Sequence, residues 1–217
     1  MKAYPLAAFD FDGTLCPGDS ILPFLQFAVK QGIAPPVQYL WAGFGYISQM
    51  LFPRRLVRAK EHTLSFIKGR RMEELDSFCA DFVKLHLVPR LYKDGIDEIR
   101  RLKKDSYTVV IVSASPNIYM KHLLNYIPAD AVIATECEAV DHIYTGHIHA
   151  NCKGVEKVKR IREFLNLSPE ESFSIAKAFG DSKHDIPMLS IAQKGYLINA
   201  PQQLIKSYPD FALMQWR

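Results

Sequence analysis

Asp10 and Asp12 stand two positions apart, and Gly13 and Thr14 follow them directly. Residues 6–11 form a short apolar run that reads as a buried strand opening into a turn. Side chains alternate across a strand, so both carboxylates lie on one side of the chain. Gly13 permits a sharp departure that leaves the two acids at the C-terminal end of the strand. In open α/β sheets that edge is where ligands gather. Two carboxylates so placed stand exposed together in that crevice. The competing reading is a solvated Asp-Gly turn.

Three further groups point to the same edge. Ser113-Ala114-Ser115 ends the β-branched run YTVVIV at residues 107–112. A hydroxyl and backbone N–H groups there can hold phosphate oxygens, and Ser115 before Pro116 also suits a helix N-cap. Gly180-Asp181-Ser182-Lys183-His184-Asp185 ends another apolar run in acids. With Asp185 and Pro187 in the first turn of the following helix, Asp185 turns back toward Asp181. Acids crowded in one crevice repel unless a cation sits among them, and oxygen ligands without sulfur or imidazole favour Mg²⁺. Helix capping is the plainer alternative for this hexapeptide. Lys157, near the start of a helical pattern, can neutralise both an acid cluster and a phosphate. Lys153 and Lys159 are its local rivals, and a solvated helix face is the reading against all three.

The elements that would position these groups alternate between strand and helix. Strand patterns fall at residues 6–11, 107–112, 131–134, 174–179 and 196–198, with helical patterns at 95–104, 118–126, 155–165 and 184–192 between them. This order predicts an α/β fold with a doubly wound parallel sheet. Residues 136–149 read as a small antiparallel excursion around Asp141-His142. Residues 16–87 break the alternation with helical segments at 20–31, 37–52, 54–68 and 72–87, punctuated by Pro35-Pro36 and Pro53. A helical cap at 16–87 is therefore expected on a core of 1–15 and 88–217.

The 217 residues, 48% hydrophobic and 23% charged, suit one globular core with a small insertion. The net charge of +4 is spread along the chain, which argues against a nucleic-acid stripe. Cys16, Cys79, Cys137 and Cys152 form no C-x-x-C pair and read as reduced thiols. The N-terminal apolar run is too short for a signal peptide, so a cytoplasmic location is expected.

Taken in this order, the groups resemble the haloacid dehalogenase (HAD) superfamily. FDFDGTL at residues 9–15 looks like its motif I, VIVSAS at 110–115 its motif II, the Lys157 region its motif III and FGDSKHDIPML at 179–189 its motif IV. The helical insert is similar to a C1-type cap, and Tyr144-Thr145-Gly146 resembles a hairpin of subfamily IB, the phosphoserine-phosphatase-like group. The resemblance implies a Rossmann-like core and a Mg²⁺-dependent phosphomonoester hydrolase that forms an aspartyl-phosphate. It makes Asp10 the nucleophile and Asp12 the general acid and base. Ser113 and Lys157 would hold the phosphoryl group. The Mg²⁺ site would comprise Asp10, the carbonyl of Asp12, Asp181 and Asp185. The superfamily's dehalogenases lack the second acid and its pump ATPases carry Thr there, so Asp12 favours ester hydrolysis.

The resemblance also bears on substrate. Asp19 lies nine residues after Asp10, about where phosphoserine phosphatases place the acid that meets the substrate amino group. Arg54, Arg55 and Arg58 are counterparts of the cap arginine that meets the carboxylate, with Arg55 and Arg58 preferred. Motif II departs from that group, since Ala114-Ser115-Pro116 stands where Gly-Gly is typical. For Asp19-Ser20 the alternative is a helix N-cap. A small phosphorylated metabolite is the expected substrate. The charge-free residues 37–52 would rise roughly 24 Å as a helix, short of the ~30 Å bilayer core. With Trp41, Phe44 and Arg54-Arg55 they keep open a membrane-surface lipid phosphatase similar to those acting on phosphatidylglycerophosphate. A non-catalytic phosphate-binding protein is the third reading. His147 and His149, two apart on a strand pattern, read as a polar hairpin face rather than a metal site.

Overall fold

The computed structural model describes residues 2–40, 42–43 and 56–217, with side chains from 59 onward in the last span. Its strands are β1 (Lys2–Phe9), β2 (Thr108–Pro116), β3 (Ala131–Val140), β4 (Ile143–Ala150), β5 (Phe173–Gly180), β6 (Ala192–Ile198) and β7 (Ala212–Met214). They form one sheet in the order β4-β3-β2-β1-β5-β6-β7. Every neighbouring pair is parallel except β3 and β4. The chain winds outward from β1 through β2 and β3, then returns to the other side of β1 for β5, β6 and β7. This reversal opens a crevice at the C-terminal ends of β1, β2 and β5. β1 is central, and Leu6, Ala7, Ala8 and Phe9 are buried on both faces of the sheet. That burial explains why the strand reads as a continuous apolar run rather than an alternating one.

The expected strands and core helices are present, with different ends. β6 begins at Ala192, and the helix before it is only Ile186–Ser190. The helix expected at 118–126 is a single α turn, Asn117–Met120, continued as a 3₁₀ segment, Lys121–Asn125. β3 runs well past 134 because its far half is one arm of the antiparallel excursion. Asp141 and His142 at the hairpin turn have φ of 50° and 63°, as a two-residue turn that follows strand twist requires. β7, a three-residue edge strand, gives no sequence signal of its own.

In the inserted segment the structure holds helices Ile21–Lys30, Leu56–Thr63 and Met72–Phe82. The last of these continues through a π turn, Val83–Leu87. Most of the expected helix at 37–52, including Trp41 and Phe44, lies outside the described residues. So do Arg54 and Arg55. Phe24 packs against Phe66, Phe78 and Phe82 with centroids 4.9–5.6 Å apart. It also meets Tyr119, which belongs to the sheet-flanking layer, at 4.7 Å. The aromatic cluster of the insert is thus continuous with the core beneath β1. The β3–β4 hairpin adds a second tie. Gly69 N–H donates to Tyr144 O at 2.8 Å, Tyr144 N–H to Arg70 O at 2.9 Å, and Met72 N–H to His142 O at 2.9 Å. Among the described residues no helix is long and apolar enough to cross a membrane.

Beneath the site the sheet is braced by a stack of rings. Phe179 lies between Phe9 at 4.2 Å and Tyr196 at 4.6 Å. Trp216, buried, closes the stack 6.2 Å from Phe9. Its backbone is clamped by Asn199, which donates from Nδ2 to Trp216 O at 3.1 Å and accepts from Trp216 N–H at 2.9 Å. Removing so large a buried side chain costs about 3–5 kcal/mol. Trp216→Ala is therefore expected to lower the unfolding free energy by that amount, and urea denaturation of the two proteins checks it.

Candidate active site

Asp10 follows the last residue of β1, and its N–H donates to Phe179 O on β5 at 2.9 Å. The chain then coils back on itself. Leu15 N–H and Cys16 N–H both donate to Phe11 O, at 2.8 and 3.0 Å, and Gly13 N–H donates to Cys16 O at 2.7 Å. Gly13 takes φ +84°, and a Cβ there would stand 2.2 Å from Asp181 Oδ2. This glycine is required twice, for its backbone conformation and for the approach of Asp181. Gly180 makes room in the same way, since a Cβ there would lie 2.4 Å from the Cβ of Asp185.

Lys157 comes from the first turn of helix Val155–Phe164 and is 1% exposed. Its Nζ donates to Asp10 Oδ1 at 2.5 Å and to Asp185 Oδ1 at 2.6 Å. Asp185 Oδ2 accepts from Ser182 N–H at 3.1 Å and Ser182 Oγ at 2.7 Å. Thr14 Oγ1 lies 3.3 Å from both Asp10 Oδ2 and Asp181 Oδ1. Carboxylate oxygens of Asp10, Asp181 and Asp185 all fall within 4.8 Å of one another.

This crowding shapes the titration of each acid. Burial, with the charges of Asp10 and Asp185, pushes Asp181 up to about 8. Burial and Asp185 push Asp10 up to about 6 against the pull of Lys157. Asp185 goes the other way: burial would raise it, but the Lys157 ion pair and the Ser182 bonds hold it below the usual carboxylate range. Lys157 is raised because Asp10 and Asp185 outweigh its burial. Three carboxylates facing one ammonium leave negative charge uncompensated. The donor set, all oxygen, fits a hard divalent cation such as Mg²⁺.

Asp12 occupies a different environment. Its Oδ2 accepts from Ser20 Oγ at 3.1 Å and from Ser115 Oγ. Its Oδ1 is buried with no partner among the described residues. Burial, then the charge of Asp19, pushes Asp12 up to about 7. A cavity of about 460 Å³ joins Asp10, Asp12, Asp181 and Asp185 to Asp19, Lys60 and Lys153, a volume suited to a small molecule.

The structure thus brings together Asp10, Asp12, Asp181, Asp185 and Lys157. Lys159 is exposed and pairs with Glu156, while Lys153 faces the cavity. Ser113 is fully buried, and its Oγ accepts from Ser115 N–H at 3.0 Å. Ala114 and Ser115, rather than Ser113, line the cavity. Ser115 is no helix cap: Pro116 holds that position, and the Ser115 hydroxyl is spent on Asp12. Asp19 Oδ1 accepts from Ile21 N–H at 2.7 Å, the capping behaviour set against a substrate role, yet Asp19 also lines the cavity. The side chain of Arg58 lies outside the described residues. Among the described residues of the insert, Lys60 reaches the cavity and donates to Ala114 O at 2.6 Å and Asn151 Oδ1 at 2.8 Å. His147 stands on the hairpin, 3.4 Å from Glu61, away from the acids. Sequence reasoning missed Thr14, Ser20, Lys60 and Tyr119. Only Thr14 carried a usable signal, through its place in the Asp-Gly-Thr turn.

A side chain at Gly13 would meet both left-handed strain, about 1–2 kcal/mol, and the Asp181 carboxylate. Gly13→Ala is expected to lose at least that much stability, which thermal unfolding followed by circular dichroism will measure.

Comparison with known proteins agrees with this geometry. Residues 7–190 match the model of the haloacid dehalogenase-like hydrolase family. Protein CicA of Caulobacter vibrioides is 29% identical over 197 residues, covering 89% of this chain and 86% of its own. A phosphoserine phosphatase of Mycobacterium tuberculosis is 25% identical over 211 residues, 91% of this chain and 66% of its own. A crystal structure of a Bordetella pertussis protein of unknown function superposes with a TM-score of 0.79 at 21% identity, covering 99% of this chain and 98% of that one. The matched span holds the whole acid cluster and Lys157, and the chain belongs to the haloacid dehalogenase-like hydrolase family.

Proposed function

We propose that this hydrolase is a Mg²⁺-dependent phosphatase that transfers the phosphoryl group of a small phosphorylated metabolite to Asp10 and then to water. The observation that carries the reading is the contrast between the two acids of one loop. Asp10 is paired with a lysine and has one oxygen beside Asp181, as a nucleophile needs. Asp12 is held by hydroxyls and raised to about 7, as a group that gives and takes a proton needs. The name of the mycobacterial relative supports a phosphomonoester as the ester.

In the first step an Asp10 oxygen bonds to phosphorus and the bond to the leaving oxygen breaks. That oxygen keeps the electron pair and takes the proton of Asp12. In the second step Asp12 receives a proton from water, the water oxygen bonds to phosphorus, and the bond to Asp10 breaks. Splitting the hydrolysis this way replaces one difficult displacement by two in-line transfers. Lys157 offsets the charge of Asp10 and of the incoming phosphoryl oxygens. Asp10, Asp181 and the carbonyl of Asp12 would hold Mg²⁺, with Asp185 supporting them, and the ion would supply charge neutralisation at the phosphoryl oxygens. Ser113 lies within β2, and Ala114 beside it lines the cavity, where its backbone N–H can meet the phosphoryl group. The leaving group faces Asp19, Lys60 and Lys153, a mixed-charge wall suited to a polar metabolite. The insert at residues 16–87 serves as the cap that carries two of these three.

An amide at position 10 cannot become an acyl phosphate, so Asp10→Asn is expected to lower phosphate release by more than about a thousandfold with the fold intact. Wild-type turnover by a clean preparation of the variant would end the reading. Dialysis against EDTA should abolish activity and Mg²⁺ should restore it, because the acid cluster offers only hard oxygen donors. Full activity of metal-stripped protein, assayed against the reloaded form, would refute the metal site.

A further inference from the structure

The hydroxyls around Asp12 belong to no part of the reaction described so far, and they form a chain. Tyr119 Oη lies 2.8 Å from Ser20 Oγ, and Ser20 Oγ lies 2.9 Å from Ser115 Oγ. Both serines reach the same carboxylate oxygen, Asp12 Oδ2. Ser20, Ser115 and Tyr119 are all buried. Tyr119 is locked among Phe24 at 4.7 Å and Phe82 at 5.2 Å, and burial holds its phenol in the protonated form, well above its ordinary range.

We propose that Ser115, Ser20 and Tyr119 are positioning residues for Asp12. Their hydrogen bonds occupy Oδ2 and confine the transferable proton to Oδ1. The proposal rests on the phosphatase reading, since it assigns the proton used in ester cleavage. The direction of the chain follows from its buried end. The Tyr119 hydrogen meets no acceptor outside the two serines among the described residues. If Oδ2 carried the proton and donated it to Ser115, the hydroxyls would reverse. The Tyr119 hydrogen would then be buried without an acceptor, an expensive arrangement. With Tyr119 donating to Ser20 and both serines donating to Asp12, every hydroxyl hydrogen is used and both lone pairs of Oδ2 are engaged, so Oδ2 is purely an acceptor. Oδ1, which has no partner in the protein but belongs to a residue lining the cavity, is left to hold the proton, with the ester's leaving oxygen as its acceptor. Ser20 precedes the first helix of the insert, whereas Ser115 and Tyr119 belong to β2 and the turn of helix after it. The acid is therefore oriented from both sides of the crevice at once.

The test is kcat/KM for phosphate monoesters whose leaving groups run from p-nitrophenol through phenol to glycerol, with Mg²⁺ present. Wild type, Ser115→Ala, Ser115→Thr and Tyr119→Phe are compared. This parameter reports the steps up to ester cleavage, where a poor leaving group needs a proton and a good one needs little help. Ser115→Ala is expected to lose at least about tenfold more on glycerol 3-phosphate than on p-nitrophenyl phosphate, within the range that general-acid catalysis contributes. Ser115→Thr, which keeps the hydroxyl, should recover most of that difference. Tyr119→Phe leaves both serines in place and should shift the dependence the same way by a smaller factor. A uniform loss across the series in Ser115→Ala and Tyr119→Phe, as a merely structural role would give, overturns the proposal; so does no loss at all. If the wild type cleaves no ester in the series, the phosphatase reading falls and takes the proposal with it.

Discussion

The ion pairs of Lys157 with Asp10 and Asp185 hold the site together. A lysine 1% exposed would be costly without partners, and two buried carboxylates side by side would be costly without it. Each group is tolerable only because the other two are present. That mutual dependence sets where helix Val155–Phe164 must sit against the ends of β1 and β5. The glycines follow from the same constraint. Asp185 reaches the ammonium only because Gly180 leaves it space, and Gly13 makes room in the same way for Asp181 beside the pair.

The ammonium does not balance the charge. Asp181 stays raised by burial and by its two acidic neighbours, so the cluster retains a demand for positive charge even with Lys157 in place. A dication satisfies that demand without adding volume, which a second lysine would. Three carboxylates, one ammonium and a dication would sum to a neutral cluster, able to take in an anionic group that the bare acids would repel. On the proposed reading, metal and substrate would act as each other's counterions in a low-dielectric crevice, where such pairing is strong.

The core of this arrangement was legible in the sequence because its chemistry is local. Asp10 and Asp12 share one loop, Asp181 and Asp185 share another, and each loop ends a strand with a clear apolar signature. Lys157 was harder, since nothing in its helix distinguishes it from Lys153 or Lys159; the fold chooses by placing one of the three against Asp10. The environment of Asp12 was illegible. Ser20, Ser115 and Tyr119 reach Asp12 or each other only after the insert docks on the sheet, and no periodicity records a contact of that kind. Ser115 shows the ambiguity well. Ser before Pro is a good cap on local grounds, and tertiary structure redirects its hydroxyl to a carboxylate 103 positions away. The strand ends shifted for a similar reason, because β3 and β6 are extended by partners that only the assembled sheet supplies.

The docking of the insert also shapes the surroundings of Asp12. Its aromatic cluster merges with the core through Phe24 and Tyr119, and its backbone is laced to the β3–β4 hairpin at Gly69, Arg70 and Met72. Tyr119 takes part in both systems, with its ring in the apolar cluster and its hydroxyl bonded to Ser20. Packing energy that fixes the ring therefore also fixes the oxygen. Hydroxyls anchored in this way orient an acid more sharply than solvent can, because a rigid apolar cage leaves the phenol few alternatives. The two acids of the first loop are thus separated by what surrounds them. One faces a lysine and other carboxylates, the other a wall of hydroxyls held from both sides, and the same residue type two positions apart meets opposite surroundings.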